Sequence, residues 1–300
     1  MKPRQQILAA TDLSAPARHA VARAYGIAAE TGAALDVVHV LSENALDGLR
    51  RMLGVRDSPA AQYLLDEARE ALAQLGAELG QTHRVSAGSR VVEGHALRAI
   101  LEQADALDAD LLVLGARGEN YLRHLLLGAT AERLLRRSLR PMLVVKQTPR
   151  TPYRRVLVPV DFSPWSAPSL RLARAWAPGA ELVLLHAFEA PFESRLRYAG
   201  VEEDTIEHYR VAARQDALVR LDALVAAAGL RPEEVRYGVH HGDASRVILT
   251  QEQERDCDLI VLGKHGQGVL EELLLGSVTK HVLAESAGDV LVASHPEPGA

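Results

Sequence analysis

Aliphatic and β-branched residues recur along the chain in short blocks, separated by longer stretches whose apolar positions return every three or four residues. Blocks of the first kind predict strands and stretches of the second kind predict amphipathic helices. In the first half the blocks predict strands near 7–11, 34–40, 83–91, 110–114 and 142–146. The run Leu111 to Leu114 contains no polar residue. That is expected of a parallel strand covered by helices on both faces, so it should be central. Ser58-Pro59 opens a stretch that places Ala61, Leu65, Ala68, Leu72, Leu75 and Leu79 on one stripe before Gly80, and a similar long helix is predicted over 203–229. Ser14 and Ser163, with Pro16 and Pro164 close behind, are expected to cap the helices that follow the first strand of each half. Those helices should stop at Gly32 and at Pro178-Gly179. Strands alternating with helices in this way imply parallel sheets with crossover helices.

The same succession occurs twice. Ile7 to Ser14 recurs as Val156 to Ser163, with Asp12 and Asp161 separated by 149 positions. Leu111 to Gly128 recurs as Leu259 to Gly276, with Gly115 and Gly263 separated by 148. A near-constant offset over two separate segments is the signature of an internal duplication. The linker is expected around Gln147 to Tyr153, where Pro149 and Pro152 disfavour both helix and sheet pairing.

Composition narrows the classes of function. Of the 300 residues, 48% are hydrophobic and 24% charged, which is enough apolar material for packed cores. A formal charge of −5 gives no broad attraction for a phosphate backbone, so nucleic acid is not an expected partner. Arg133, Arg136, Arg137 and Arg140 do cluster, but at the predicted end of a helix, where cations complement the dipole. No apolar run reaches the roughly 20 residues of a membrane helix, and the run Ile7 to Ala10 is too short for a signal peptide, so a cytoplasmic location without membrane insertion is expected. The lone Cys257 opens an apolar run and reads as core.

The strongest chemical signal follows the fourth strand of the second half. Gly263-Lys264-His265-Gly266 is followed by nine residues and then by Gly276-Ser277, where a helix is predicted to begin. Phosphate oxygens need close donors, and glycine lets the backbone approach them. A helix start adds unpaired amides and the positive end of the dipole, and Ser277 adds a hydroxyl. Asp161 ends the first strand, and ligands of open α/β sheets sit beyond the carboxyl ends of the strands.

With this spacing and the stretch Pro159 to Ser163, the chain resembles the universal stress protein family over essentially its whole length, twice. The resemblance implies an α/β fold of two tandem open-sheet, Rossmann-like domains of the adenine nucleotide α-hydrolase type. Each would hold a five-stranded parallel sheet in the order 3-2-1-4-5, with boundaries at 1–147 and 153–296. It implies an ATP site in the second domain, with Gly263, His265, Gly266, Gly276, Ser277 and Val278 at the phosphates, and magnesium as a compatible companion. Asp161 would contact the nucleoside and main-chain groups near Ala187 the adenine. The alternatives are a helix-capping role for Asp161 and simple packing for Ala187. It also implies an intramolecular pseudo-dimer through the last strands near 142–146 and 290–293, as a compact monomer or a homodimer.

The first half keeps Asp12, Gly115, Gly118 and Gly128, but Ala129 stands where Ser277 stands, and Glu119 adds a negative charge beside the loop. A hydrogen bond to a charged group contributes about 1.5–3 kcal/mol, so a site there should be weaker or vacant. The adjacent His240 and His241 would point to opposite faces of a strand, which argues against a metal site, and His39 and His186 read as structural. The expected function is an ATP-binding stress-response regulator with regulatory protein partners and at most slow ATP hydrolysis. A scaffold or apolar-ligand-binding tandem protein is the alternative. An adenylating enzyme is disfavoured, because no His-Ile-Gly-His stretch is present.

Overall fold

A computed structural model describes residues 5–42, 59–116, 127–149, 152–189, 202–266 and 275–294. The chain divides into two compact units, residues 1–152 and 153–300. In the first, the elements run β1 (Gln6–Thr11), α1 (Ala15–Thr31), β2 (Ala34–Ser42), α2 (Pro59–His83), β3 (Ala87–Gly94), α3 (Ala96–Ala106), β4 (Leu111–Gly115), α4 (Ala129–Arg137) and β5 (Met142–Val145). The strands lie side by side in the order β3-β2-β1-β4-β5, and all four pairings are parallel. Helices α1 and α2 pack together against one face of the sheet, while α3 and α4 pack together on the other. This explains the residues from Leu111 to Leu114, all buried between the two helical layers.

The second unit repeats the plan with β6 (Arg155–Pro159), α5 (Ser166–Trp176), β7 (Glu181–Phe188), α6 (Glu203–Ala227), β8 (Val235–His241), α7 (Ala244–Glu254), β9 (Leu259–Gly263), α8 (Ser277–Glu285) and β10 (Asp289–Ala293). Its order is β8-β7-β6-β9-β10. In each unit the order reverses beside the first strand, between β1 and β4 or between β6 and β9, which opens a crevice at the carboxyl ends of those strands. One aspartate per unit secures the opposite end. The Asp110 carboxylate accepts from the Gln6 amide at 2.7 Å, and that of Asp258 accepts from the Arg154 and Arg155 amides at 2.9 and 3.1 Å. A buried hydrogen bond from Tyr153 Oη to Asp289 Oδ2 (2.6 Å) adds a second tie in the second unit. Among the described residues no helix is long and apolar enough to cross a membrane.

Several elements depart from the sequence reading. Helix α2 continues through Gly80 to His83, so β3 begins at Ala87 rather than near 83. Gly80 is a close-approach position: a Cβ there would lie 3.0 Å from the Val85 carbonyl oxygen, and the Val85 amide donates back to the Gly80 carbonyl at 3.2 Å. Of the apolar stripe on α2, Ala68, Leu72 and Leu75 are buried and Leu65 and Leu79 half-buried, while the side chain of Ala61 lies outside the described residues. Ser14 occupies the cap position of α1, but its side chain bonds to Asp12 instead of to the helix. Ser163 does not cap α5, which starts at Ser166. The Ser163 carbonyl accepts from the Ser166 amide at 3.0 Å, so a turn separates strand from helix. Gly32 ends α1 in the left-handed conformation at φ 71°, and α5 ends at Trp176, just before Pro178-Gly179.

Candidate functional site

At the switch point of the second unit lies a cavity of about 770 Å³. The turn after β6 supplies its first wall. Asp161 Oδ1 accepts from the Ser163 amide at 3.0 Å and from Ser166 Oγ at 3.3 Å, and Phe162 between them takes φ 61°. The carboxylate therefore folds its own turn, which fixes where it points. The same turn is present in the first unit, where Asp12 Oδ1 accepts from the Ser14 amide at 3.0 Å and Leu13 takes φ 63°.

The glycine loop and the start of α8 form the second wall. The Gly276 amide donates to the Lys264 carbonyl at 3.0 Å and Thr279 Oγ1 donates to the Gly263 carbonyl at 2.8 Å, which locks loop to helix. The Gly276 carbonyl is taken by the Lys280 amide, so the amides of Ser277, Val278 and Thr279 are the first-turn donors with no partner inside the helix. The three glycines do different work. A Cβ on Gly263 would meet Trp165 Cβ at 2.5 Å and the His265 carbonyl at 2.9 Å, and one on Gly266 would meet Asp161 Oδ2 at 2.5 Å. At Gly276 the nearest atoms would be 3.5 Å away, an ordinary contact. The chain's own packing thus demands glycine at 263, whereas at 266 the only crowded atom is the end of the Asp161 side chain.

The third wall is the end of β7. His186 Nδ1 lies 2.8 Å from the Val160 carbonyl, as His39 Nδ1 lies 2.9 Å from that of Thr11 in the first unit, the structural role read from the sequence. Burial, with the Arg220 charge adding to it, pushes His186 below the ordinary histidine range, against the opposing pull of the Val160 bond and of Asp161. The Phe162 ring packs on His186 at 4.5 Å between centroids and carries the Arg220 guanidinium over its face at 4.0 Å. His241 packs against Phe188 at 5.5 Å. Among the described residues no group of three or more His, Cys, Asp or Glu side chains is placed to hold a metal ion.

The universal stress protein family matches this chain twice, at residues 3–146 and 152–294. The chain belongs to that family. Universal stress protein Rv1996 of Mycobacterium tuberculosis is 30% identical over 195 residues, which cover 62% of this chain and 59% of that protein. Rv2005c of the same organism is 28% identical over 245 residues, covering 76% of this chain and 77% of that protein. A universal stress protein from Archaeoglobus fulgidus shares the fold at TM-score 0.69 and 21% identity, covering 96% of this chain and 97% of the other.

Within this universal stress protein, Asp161, Ala187, Gly263, His265, Gly266, Gly276, Ser277 and Val278 all line the one cavity. Ser163, Trp165, Arg220 and Thr279 line it as well and escaped the sequence reading. Ser163 is buried, and its hydroxyl has no hydrogen-bond partner among the described residues. The recurrence of serine two residues after each aspartate was the available signal for it. In the first unit Asp12 is exposed at the end of β1, Gly115 ends β4 and Gly128 precedes α4, whose first residue is Ala129. Gly118 and Glu119 lie outside the described residues.

Proposed function

We propose that the second unit binds ATP and that this universal stress protein works as a nucleotide-dependent regulator in the cytoplasm. The observation that carries the reading is the convergence of eight sequence-selected residues on one cavity of about 770 Å³, within the roughly 300–1,000 Å³ typical of ligand sites. The phosphates meet the free amides at the start of α8 and the Ser277 hydroxyl, where a helix N-terminus favours anions. Asp161, held by its own turn, takes a nucleoside hydroxyl, and the main chain near Ala187 faces the base. Magnesium enters only as a companion of the phosphates, bound largely through their oxygens and water. Binding, not turnover, is the proposed role, with occupancy altering the surface offered to protein partners. The first unit, with Ala129 in place of Ser277, binds more weakly or not at all.

Calorimetric titration of nucleotide-free protein with ATP and magnesium tests this. Saturation of a single class of site is expected. Ser277→Ala, at an exposed position, should weaken it by about ten- to a hundredfold without loss of fold. Absence of binding by the intact chain would remove the reading.

A further inference from the structure

A second cavity of about 390 Å³ opens beside the first, between the end of β7 and α6. Phe162, His186, Phe188 and Arg220 line both, and Tyr209 completes the aromatic lining of the smaller one. Tyr209 is 47% exposed, a large side chain left open to solvent at the rim. Burial keeps the His186 ring largely uncharged near neutral pH, so it adds to the aromatic surface. Flat rings on such a wall match the faces of a nucleobase, whose stacking on aromatic side chains is favourable for every base.

Charge is distributed unevenly over the same space. Among the described residues lining the larger cavity, Arg220 is the one lysine or arginine, against the carboxylates of Asp161 and Glu189. It stands at the aromatic end, over the Phe162 ring. Its contact with Asp216, one helical turn earlier, is 3.9 Å long between side chains 49% and 71% exposed, and so is weak. Stacking on Phe162 holds the guanidinium in place and leaves its edge donors to pair with an anion. The combined space therefore has two positive poles with an aromatic chamber beside the second.

We propose that the joined cavities receive a dinucleotide, with one nucleotide seated at the start of α8 and the second base in the Phe162–Phe188–Tyr209 chamber, its linking phosphates met by Arg220. This rests on the nucleotide reading of the larger cavity. The arrangement belongs to the second unit, because Leu13 stands where Phe162 stands and offers no ring for a guanidinium.

The test is titration of the full chain with ATP and with diadenosine tetraphosphate, for the parent protein, Arg220→Ala, Arg220→Lys and Phe162→Leu, each checked for native circular dichroism. The dinucleotide should bind about tenfold or more tightly than ATP, beyond the factor of about two that its duplicate ends supply. Arg220→Ala and Phe162→Leu should collapse that ratio, and Arg220→Lys, which keeps charge without the planar stack, should retain part of it. Equal affinities in the parent protein, or a ratio unmoved by Arg220→Ala, would overturn the dinucleotide proposal and leave ATP binding standing. Failure of both ligands to bind would remove the nucleotide reading and this proposal with it.

Discussion

Replacing Gly263, Gly266 and Gly276 by alanine one at a time separates the demands of packing from those of a ligand. At 263 the new methyl would sit 2.5 Å from Trp165 Cβ and 2.9 Å from the His265 carbonyl oxygen, neither of which is the free end of a flexible side chain. Overpacking of this kind costs about 1–3 kcal/mol. For a unit of this size each kcal/mol lowers the thermal midpoint by about 2–4 °C, so a drop of several degrees is expected. At 266 the crowded atom is Asp161 Oδ2 alone, and the next contact is 3.7 Å away. The carboxylate end can give where Trp165 Cβ cannot, at some loss to the hydrogen bonds that hold its turn, so stability should fall less than at 263 while nucleotide affinity falls with the displaced aspartate. At 276 nothing lies closer than 3.5 Å and φ is −57°, which alanine adopts freely. Losing glycine from a helix cap costs about 0.5–1 kcal/mol, and the reduced freedom of the unfolded chain returns about 0.4–1 kcal/mol, so the net is near zero. Thermal denaturation of the three variants, followed by ATP titration of each, reads out both effects. A Gly263→Ala protein that melts with the parent, or a Gly276→Ala protein that melts as early as Gly263→Ala, would show that the crowding does not set the roles of these glycines.

Tyr153→Phe removes the donor from a carboxylate oxygen of the fully buried Asp289 and should destabilise the second unit by about 1.5–3 kcal/mol in urea titrations, with an unchanged midpoint counting against it. Burial pushes the Cys257 thiol up to about 11, so only about one thiol in a thousand is ionised at pH 8. Its labelling by a disulfide reagent should be slow in the native protein and fast in denaturant, and equal rates would contradict the burial. The folded His186 resists protonation chiefly through burial, whereas the unfolded chain takes up that proton near pH 6.5. The unfolded state thus binds more protons, and the stability present above that pH is lost progressively as pH falls below it. His186→Gln should flatten the acid-side fall of the urea midpoint between about pH 7.5 and 5.5, and identical slopes for variant and parent would refute the assignment.

The alternation of apolar blocks and amphipathic stretches made the α/β class legible, because strands buried on both faces, such as Leu111 to Leu114, leave no polar position to confuse the pattern. Helix ends were less legible. Gly80 reads as a stop, yet its missing side chain serves the returning chain at Val85, and only the tertiary contact reveals this. Ser163 reads as a cap, yet the left-handed Phe162 delays the helix by a turn. The motif glycines announced where a loop would fold without telling which neighbour each must admit, since Trp165 and Asp161 arrive from another segment. Arg220 and Phe188 lay hidden because their meeting depends on how α6 crosses the end of β7, a distance no local pattern encodes.

The two left-handed turns at Leu13 and Phe162 carry a further implication. A large side chain at φ 63° or 61° holds backbone strain of about 1–3 kcal/mol that glycine or asparagine would relieve. Both copies of the duplicated unit have such a residue, although one carries Ala129 where the other has Ser277 at its helix start. The bend therefore follows from the architecture and persists whatever either half binds. In each turn one carboxylate oxygen is committed to holding the bend, accepting from the amide two residues on. The first half thus carries the same strained bend as the second, with Leu13 and Ala129 where the second has Phe162 and Ser277.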